Sequence, residues 1–303
     1  MKVLISIIGP TGIGKTKLSI YLAKKIKTEI ISCDSRQFYK ELKIGTSQPS
    51  KKKLKEIKHH FIGNLSIKEE YNIYKYEKDI IKLLSKLFLK YNNILMVGGS
   101  CLYEKAIIEG INYIPNINKY KLQKIRKKLF SKKISFLLKK LKKKDIKYFN
   151  YLKNKKDKRK IIRGLEIKKI LKKKISFFYN KKKQKRPFDK YIRIGLILKR
   201  KKIYKKINKK VDLMIKKGLI KEVKKNLKYF NLKLNSLNTI GYKEVFNYLL
   251  KKISLNNCIK EIKKNTRNYA KRQINWFKKY KDIKWFNPKK KKKIFEYLKN
   301  KLF

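Results

Sequence analysis

Apolar positions along this chain follow two different periods. Largely apolar stretches occupy Val3–Ile8, residues 29–32, residues 93–97 and residues 191–198, each bounded by glycine or polar residues. Runs of that length predict buried strands of a parallel sheet covered on both faces. Between them, residues 15–27 and 74–90 carry apolar side chains at helical spacing. From 116 to 190 the β-branched strand pattern disappears and long helical stretches replace it, which predicts an all-helical insertion. Past Lys202 the pattern is helical again, broken by Gly218 and by residues 235–241, and it closes on the short apolar stretch Ile283–Phe286. The alternation predicts an α/β fold in which residues 1–115 and 191–303 form a parallel sheet flanked by helices, with the helical segment 116–190 inserted.

Charge changes this picture in one place. The 303 residues hold 89 Lys and Arg against 20 Asp and Glu, a formal charge of +69. Such a balance points to a polyanionic partner. Lys, Ile and Asn dominate nearly every segment, however, as an AT-rich coding sequence would produce, so compositional drift is the competing explanation. Residues 116–190 exceed the average, with 32 cations against Asp145, Asp157, Glu166 and Asp189 and lysine clusters at 142–144, 172–174 and 181–183. This predicts a basic, nucleic-acid-facing insertion. Cys33, Cys101 and Cys258 lie far apart and form no C-x-x-C pair, as expected of a reduced cytoplasmic protein without structural zinc. The apolar N-terminal run is too short for a signal peptide, and no 18-residue apolar run predicts a membrane span.

Candidate chemistry begins where the first strand ends. Gly9, Pro10, Thr11, Gly12, Ile13, Gly14, Lys15 and Thr16 spell G-x-x-x-x-G-K-T between a strand and a helix, a P-loop spacing. Small residues let successive amides point at phosphate oxygens, the following helix aims its positive end there, Lys15 adds a charge, and the Thr16 hydroxyl suits Mg2+. The ordinary alternative is a glycine turn before a surface helix. Asp34 follows the second strand, where an open α/β sheet places its ligand crevice; the competing role is a helix N-cap. The strand ending at Gly98 lacks the acid that ATPases of this class use to hold magnesium, which weakens a hydrolase reading, while Ser100 offers a hydroxyl on the same edge. His59 and His60 have no further ligands nearby and read as a packed or capping pair. Residues 266–277 interleave Arg and Lys with Tyr and Trp, a pattern that can hold phosphates and stack bases but reads first as a helix with an aromatic core face and a solvated basic face.

Taken together, these segments resemble the tRNA dimethylallyltransferases. The resemblance rests on the motifs at 9–16, 30–39, 44–49, His59-His60, 97–103, 163–166, 186–188, 239–244 and 270–277, nine in the family's order and spanning almost the whole chain. It implies transfer of a dimethylallyl group from dimethylallyl diphosphate to the exocyclic amine of adenine 37 in the anticodon stem-loop, with Mg2+ bound at Thr16. It also implies Asp34 as general base and a diphosphate held by residues 9–16, with Lys15, Thr16 and Ser100 sharing the catalysis. Further tRNA contacts are implied for Ser35, Arg36 and Gln37, for Arg159, Lys160, Ile161, Ile162 and Arg163, and for Thr239, Ile240, Gly241, Tyr242, Lys243 and Glu244. Lys271, Arg272, Gln273, Ile274, Asn275, Trp276, Phe277 and Lys278 complete that surface. Ser100 stands where the family usually has threonine, and residues 122 and 123, where it often has a basic residue, are Leu122 and Gln123. The expected protein is a cytoplasmic monomer. Two competing readings are a small-molecule P-loop kinase, which would turn over ATP, and a basic RNA-binding protein without activity.

Overall fold

The computed structural model describes residues 1–303 apart from Asn116, Asn180, Lys181, Lys182, Lys183, Lys233, Asn235 and Phe303. The lysine cluster at 181–183 therefore lies outside the described residues. Six strands, β1 (Val3–Ile8), β2 (Ile30–Ser32), β3 (His59–His60), β4 (Asn93–Gly98), β5 (Lys190–Leu196) and β6 (Ile283–Phe286), form one sheet in the order β3-β2-β4-β1-β5-β6. Every pairing is parallel, with Ile5 opposite Leu95 on one side and Ile192 on the other. β1 is buried along its whole length, because both its faces are covered: Ile5, Ile7 and Leu95 pack into one core, Leu4, Ile94 and Met96 into another. That explains why the strands show no alternation of apolar and polar positions, since a strand covered on both faces has no polar period.

The four expected strands are present, with ends shifted by one or two residues. Glu29 lies just outside β2, and its carboxylate accepts from the Tyr91 hydroxyl and pairs with His60. The first helix, Lys15–Lys25, stops short of residue 27 because Lys27 takes a left-handed conformation, φ 47°. The helix Ile73–Leu87 starts where the Asn72 side chain accepts from the amides of Tyr74 and Lys75. β3 and β6 escaped the periodicity because two and four residues carry too little pattern; both are edge strands that borrow their conformation from a longer neighbour.

The chain divides into two compact units, Met1–Glu109 with Arg186–Phe303, and Gly110–Lys185. The borders fall before 116 and 190. Arg186 already pairs with Glu77 of the first unit at 2.5 Å, and β5 begins at Lys190. The second unit contains the helices Lys119–Phe130, Ile134–Lys144, Ile146–Tyr151, Lys158–Leu171 and Ile175–Tyr179, and no strand among the described residues. Leu137, Leu141, Tyr148, Ile161, Ile162 and Leu165 form its core. Beneath that core, Glu166 is fully buried between Arg126 and Arg163, each 2.8 Å from its carboxylate. Among the described residues no helix is long and apolar enough to cross a membrane.

Candidate functional site

Parallel strands bring their C-terminal ends to one edge, so the segments after β1, β2 and β4 meet there despite their separation in the chain. After β1, Gly9 turns at φ 144°; a Cβ at this position would sit 2.7 Å from the Leu196 carbonyl of β5. The loop runs through Ile13, whose amide donates to the Pro10 carbonyl, into the helix Lys15–Lys25, capped by Gly14 without a side-chain bond. The first amides of that helix have no intrahelical acceptor, and its first turn contains no acidic residue, so the dipole's positive end faces the loop uncompensated. The Lys15 ammonium folds back onto the carbonyls of Gly9 and Pro10, at 2.8 and 3.0 Å.

After β2, residues 35–38 form a turn and not a helix. Asp34 therefore caps no helix. Its Oδ1 accepts from the Arg36 amide at 3.1 Å and its own carbonyl accepts from Gln37, which leaves the carboxylate in an Asx-type turn at the cleft. After β4, Ser100 Oγ accepts from the Ser35 amide at 2.9 Å and donates to Ser35 Oγ at 3.1 Å. Ser100 thus ties the β2 turn to the β4 turn.

Two long helices close the site. Arg200–Lys216 delivers Lys210, whose ammonium donates to Thr11 Oγ1 at 3.1 Å. Leu255–Phe277 delivers Thr266, Tyr269, Arg272 and Gln273. A cleft of about 330 Å³ results, lined by Thr11, Asp34, Arg36, Lys210, Tyr269 and Arg272 among others, with Ser35, Thr239 and Ile240 at its wall. Burial holds the Lys15 ammonium down to about 8; the nearby Lys210 pushes the same way and Asp34 opposes both. Lys210 is lowered too, by burial against the pull of Asp34. Two desolvated lysines share one carboxylate, so the cleft has an excess of positive charge that an anionic ligand relieves. The thiols beside it are poor nucleophiles, since burial pushes Cys101 up to about 12 and Cys33 well above its ordinary range.

Several residues expected to face RNA do not. Gln273 is buried: its Oε1 accepts from the Thr11 amide at 2.9 Å and its Nε2 donates to the Gly99 carbonyl at 2.7 Å. A Cβ on Gly99 would lie 2.3 Å from that nitrogen, which is why the β4 turn is glycine there. Gln273 therefore couples the phosphate loop to the β4 turn. Ile161 and Ile162 belong to the core of the helical unit, Tyr242 and Phe277 are fully buried, and Glu244 Oε2 accepts from the Gly241 amide at 2.7 Å as a cap. Ile274 and Trp276 are half-buried. Their apolar bodies pack inward on the helix face opposite Lys271, Arg272, Asn275 and Lys278, which are exposed, as are Lys243, Arg159 and Lys160. Gln37 serves the loop at 43–48, donating through Nε2 to the carbonyls of Thr46 and Ser47. That loop is held from beneath by Glu222, whose carboxylate accepts from the amides of Lys43, Ile44 and Gly45 and from the Tyr242 hydroxyl at 2.6 Å. Lys210 and Glu222 escaped the sequence reading. Each sits in a lysine-rich or helical stretch with nothing local to set it apart, whereas Tyr269 lies in the stretch 266–277 that the pattern of aromatic and basic residues marked.

His59 and His60 form β3. His59 Nδ1 bonds the Ile57 carbonyl, and His60 pairs with Glu29. Among the described residues no group of three His, Cys, Asp or Glu could hold a metal ion. The side-chain oxygens of the loop and of the turn after β2 include the Thr11 and Thr16 hydroxyls and the Asp34 carboxylate, a sparse hard set. It fits a cation such as Mg2+, which keeps waters and takes most of its protein-side charge from a bound phosphate.

The family model described as IPP transferase matches residues 37–280. A tRNA dimethylallyltransferase of Christiangramia forsetii is 47% identical over 300 residues, covering 99% of this chain and 98% of that one. The solved tRNA isopentenylpyrophosphate transferase of Bacillus halodurans superposes with a TM-score of 0.74 at 30% identity, over 100% of this chain and 97% of that one. A eukaryotic dimethylallyltransferase solved acting on tRNA gives a TM-score of 0.78 at 27% identity, over 95% of this chain and 74% of its own. With sequence, fold and cleft in agreement over nearly its full length, the chain belongs to the IPP transferase family.

Proposed function

We propose that this chain is a tRNA prenyltransferase that moves the dimethylallyl group of dimethylallyl diphosphate onto the exocyclic amine of adenine 37, releasing diphosphate. The observation that supports this reading most is the company Asp34 keeps. A carboxylate, the phosphate loop's Thr11 and the ammonium of Lys210 line one cleft, while the strand ending at Gly98 lacks the acid with which ATPases of this class hold magnesium.

In this reading the loop amides, Lys15 and Lys210 hold the diphosphate. As the C–O bond to the dimethylallyl carbon breaks, the electron pair goes to a phosphate oxygen, where these groups stabilise the charge. The amine nitrogen forms the C–N bond, and Asp34 accepts the proton it loses. An aromatic amine is a weak nucleophile, so removing its proton as the bond forms matters. Ser100 and Tyr269 orient the acceptor side. Thr16 would hold Mg2+, and the chemistry supplied by that ion when bound is neutralisation of the leaving diphosphate. Arg36, Arg272, Arg159 and Lys160 take phosphates of the anticodon stem-loop, and the adenine leaves its stack more cheaply from a loop than from a duplex. We read the enzyme as a cytoplasmic monomer.

The test is to incubate the chain with unmodified tRNA, Mg2+ and dimethylallyl diphosphate, digest the RNA, and weigh its nucleosides. The expected product is adenosine heavier by one dimethylallyl group in place of one hydrogen. Unmodified adenosine, or turnover that requires ATP, overturns the reading.

A further inference from the structure

The helical unit contains a second arrangement that the transfer chemistry leaves unused. Tyr148, Tyr151 and Tyr179 pack their rings together: Tyr148 and Tyr151 lie 6.3 Å apart at 19°, Tyr151 and Tyr179 5.1 Å apart at 53°, Tyr148 and Tyr179 5.6 Å apart at 41°. Tyr148 is 3% exposed and anchors the group in the core, whereas Tyr151 is 62% exposed at the end of its helix. A single exposed tyrosine is ordinary. This one is held by two others, so its ring is ordered before anything binds, and stacking on it forfeits little rotamer freedom.

The surroundings decide what would bind. The Tyr148 hydroxyl donates to the Lys160 carbonyl at 3.4 Å, which fastens the cluster to the first turn of Lys158–Leu171, where Arg159 and Lys160 are exposed. Lys147 and Lys153 flank Tyr151 in the chain and are exposed as well. An apolar protein segment gains nothing from exposed cations beside it. A polyanion with flat faces does, because phosphates meet the lysines while an unpaired base covers the tyrosine. We infer that the open face of Tyr151, backed by Tyr148 and Tyr179, is a stacking platform for an unpaired base of the RNA substrate. It rests on the reading that this chain acts on tRNA, and adds a site remote in sequence from Asp34 and the phosphate loop.

Binding by the full chain is measured by fluorescence polarisation with an anticodon stem-loop RNA and with a fully paired duplex of equal length, over a salt titration. Tyr151→Ala should weaken stem-loop binding about 5- to 100-fold, as loss of one base–aromatic stack does. Duplex binding and the salt slope should stay put, since no phosphate contact is removed. Tyr151→Phe keeps the ring and should bind like the wild type. Unchanged stem-loop binding by Tyr151→Ala overturns the platform. So does an equal loss on the duplex, a flatter salt slope, or a Tyr151→Phe variant as weak as the alanine, which would make the hydroxyl the contact. If the wild type binds and prenylates the stem-loop while any of these occurs, only the platform falls. A wild-type chain that binds neither RNA overturns the tRNA reading and the platform with it.

Discussion

Lysine is put to two opposite uses in this molecule. At the cleft, Lys15 and Lys210 are desolvated, hydrogen-bonded to the phosphate loop and held below the ordinary lysine range by burial. On the helical unit, Lys147, Lys153 and Arg159 stand in water, and Lys160 is exposed with the Asp157 carboxylate 3.7 Å from its ammonium. The first kind is scarce, and each member acts at short range through a low-dielectric gap. The second kind is abundant, and each member is screened by salt within about a Debye length of 8–10 Å. A formal charge of +69 says nothing about this difference, because placement and not number sets what a cation can do.

The contrast breaks first, and most visibly, at the carboxylate the buried lysines share. Asp34→Asn keeps the side chain's shape and should keep the Arg36 amide as a partner, so the thermal melt should move little. Single-turnover prenyl transfer at saturating substrates should fall about 10²-fold or more, the usual loss for a general base. A near-normal rate would leave the loop and its cations as the main source of catalysis.

Next in size is the pH dependence of diphosphate binding. The free protein loses the Lys15 charge above about 8, whereas a bound diphosphate restores it. Affinity for dimethylallyl diphosphate should therefore be level below pH 8 and fall above it, by up to about tenfold per unit. Stability runs the other way. Between about 8 and 10.5 the unfolded chain holds the more protons at this site, so the penalty for burying Lys15 is complete below pH 8 and is relieved as pH rises. Calorimetric titration from pH 7 to 9.5 reads the first effect. A flat affinity would mean that Lys15 keeps its charge throughout.

Gln273→Leu removes two hydrogen bonds of a buried amide and leaves the Thr11 amide and Gly99 carbonyl unpaired. KM for the diphosphate should rise about tenfold, in keeping with one or two lost bonds, while tRNA affinity changes little. Weakened tRNA binding with normal KM would return Gln273 to the RNA surface. The smallest effect belongs to the exposed lysines. Neutralising Arg159 and Lys160 together should weaken tRNA binding several-fold at physiological salt and lower the salt slope by about one per phosphate contact. Arg163→Ala is the sharpening control, because Arg163 holds buried Glu166 together with Arg126. Its loss should appear in the melting temperature and not in the salt slope.

What sequence could disclose followed from where the physics is local. β1, its glycine loop and the helix after it are specified within a couple of dozen residues, and the strands covered on both faces announced themselves by having no polar period. Asp34 and Ser100 were readable because a strand end plus a polar residue is itself a local signal. Lys210 was not, being one among many lysines on a helix and distinguished only by the Thr11 hydroxyl it meets. The inward faces of 239–244 and 270–277 were misread for a related reason. A motif marks residues that cannot vary, and Tyr242, Glu244 and Gln273 are held as firmly by the core, a cap and the phosphate loop as they would be by a ligand.

The strand order also has a consequence for how the chain is made. β1 emerges first and pairs with β4, but its other neighbour, β5, begins only at Lys190. Throughout synthesis of the helical unit one side of the central strand has exposed amides and carbonyls and no partner. At ordinary translation rates of about 5–20 residues per second, that interval is about 4–15 s. Closing the long connection adds little to the equilibrium, since loop entropy grows by only about 0.6 kcal/mol per doubling of length. The delay acts on kinetics alone, and it makes β1 the segment of the nascent chain most in need of protection from pairing with the wrong strand.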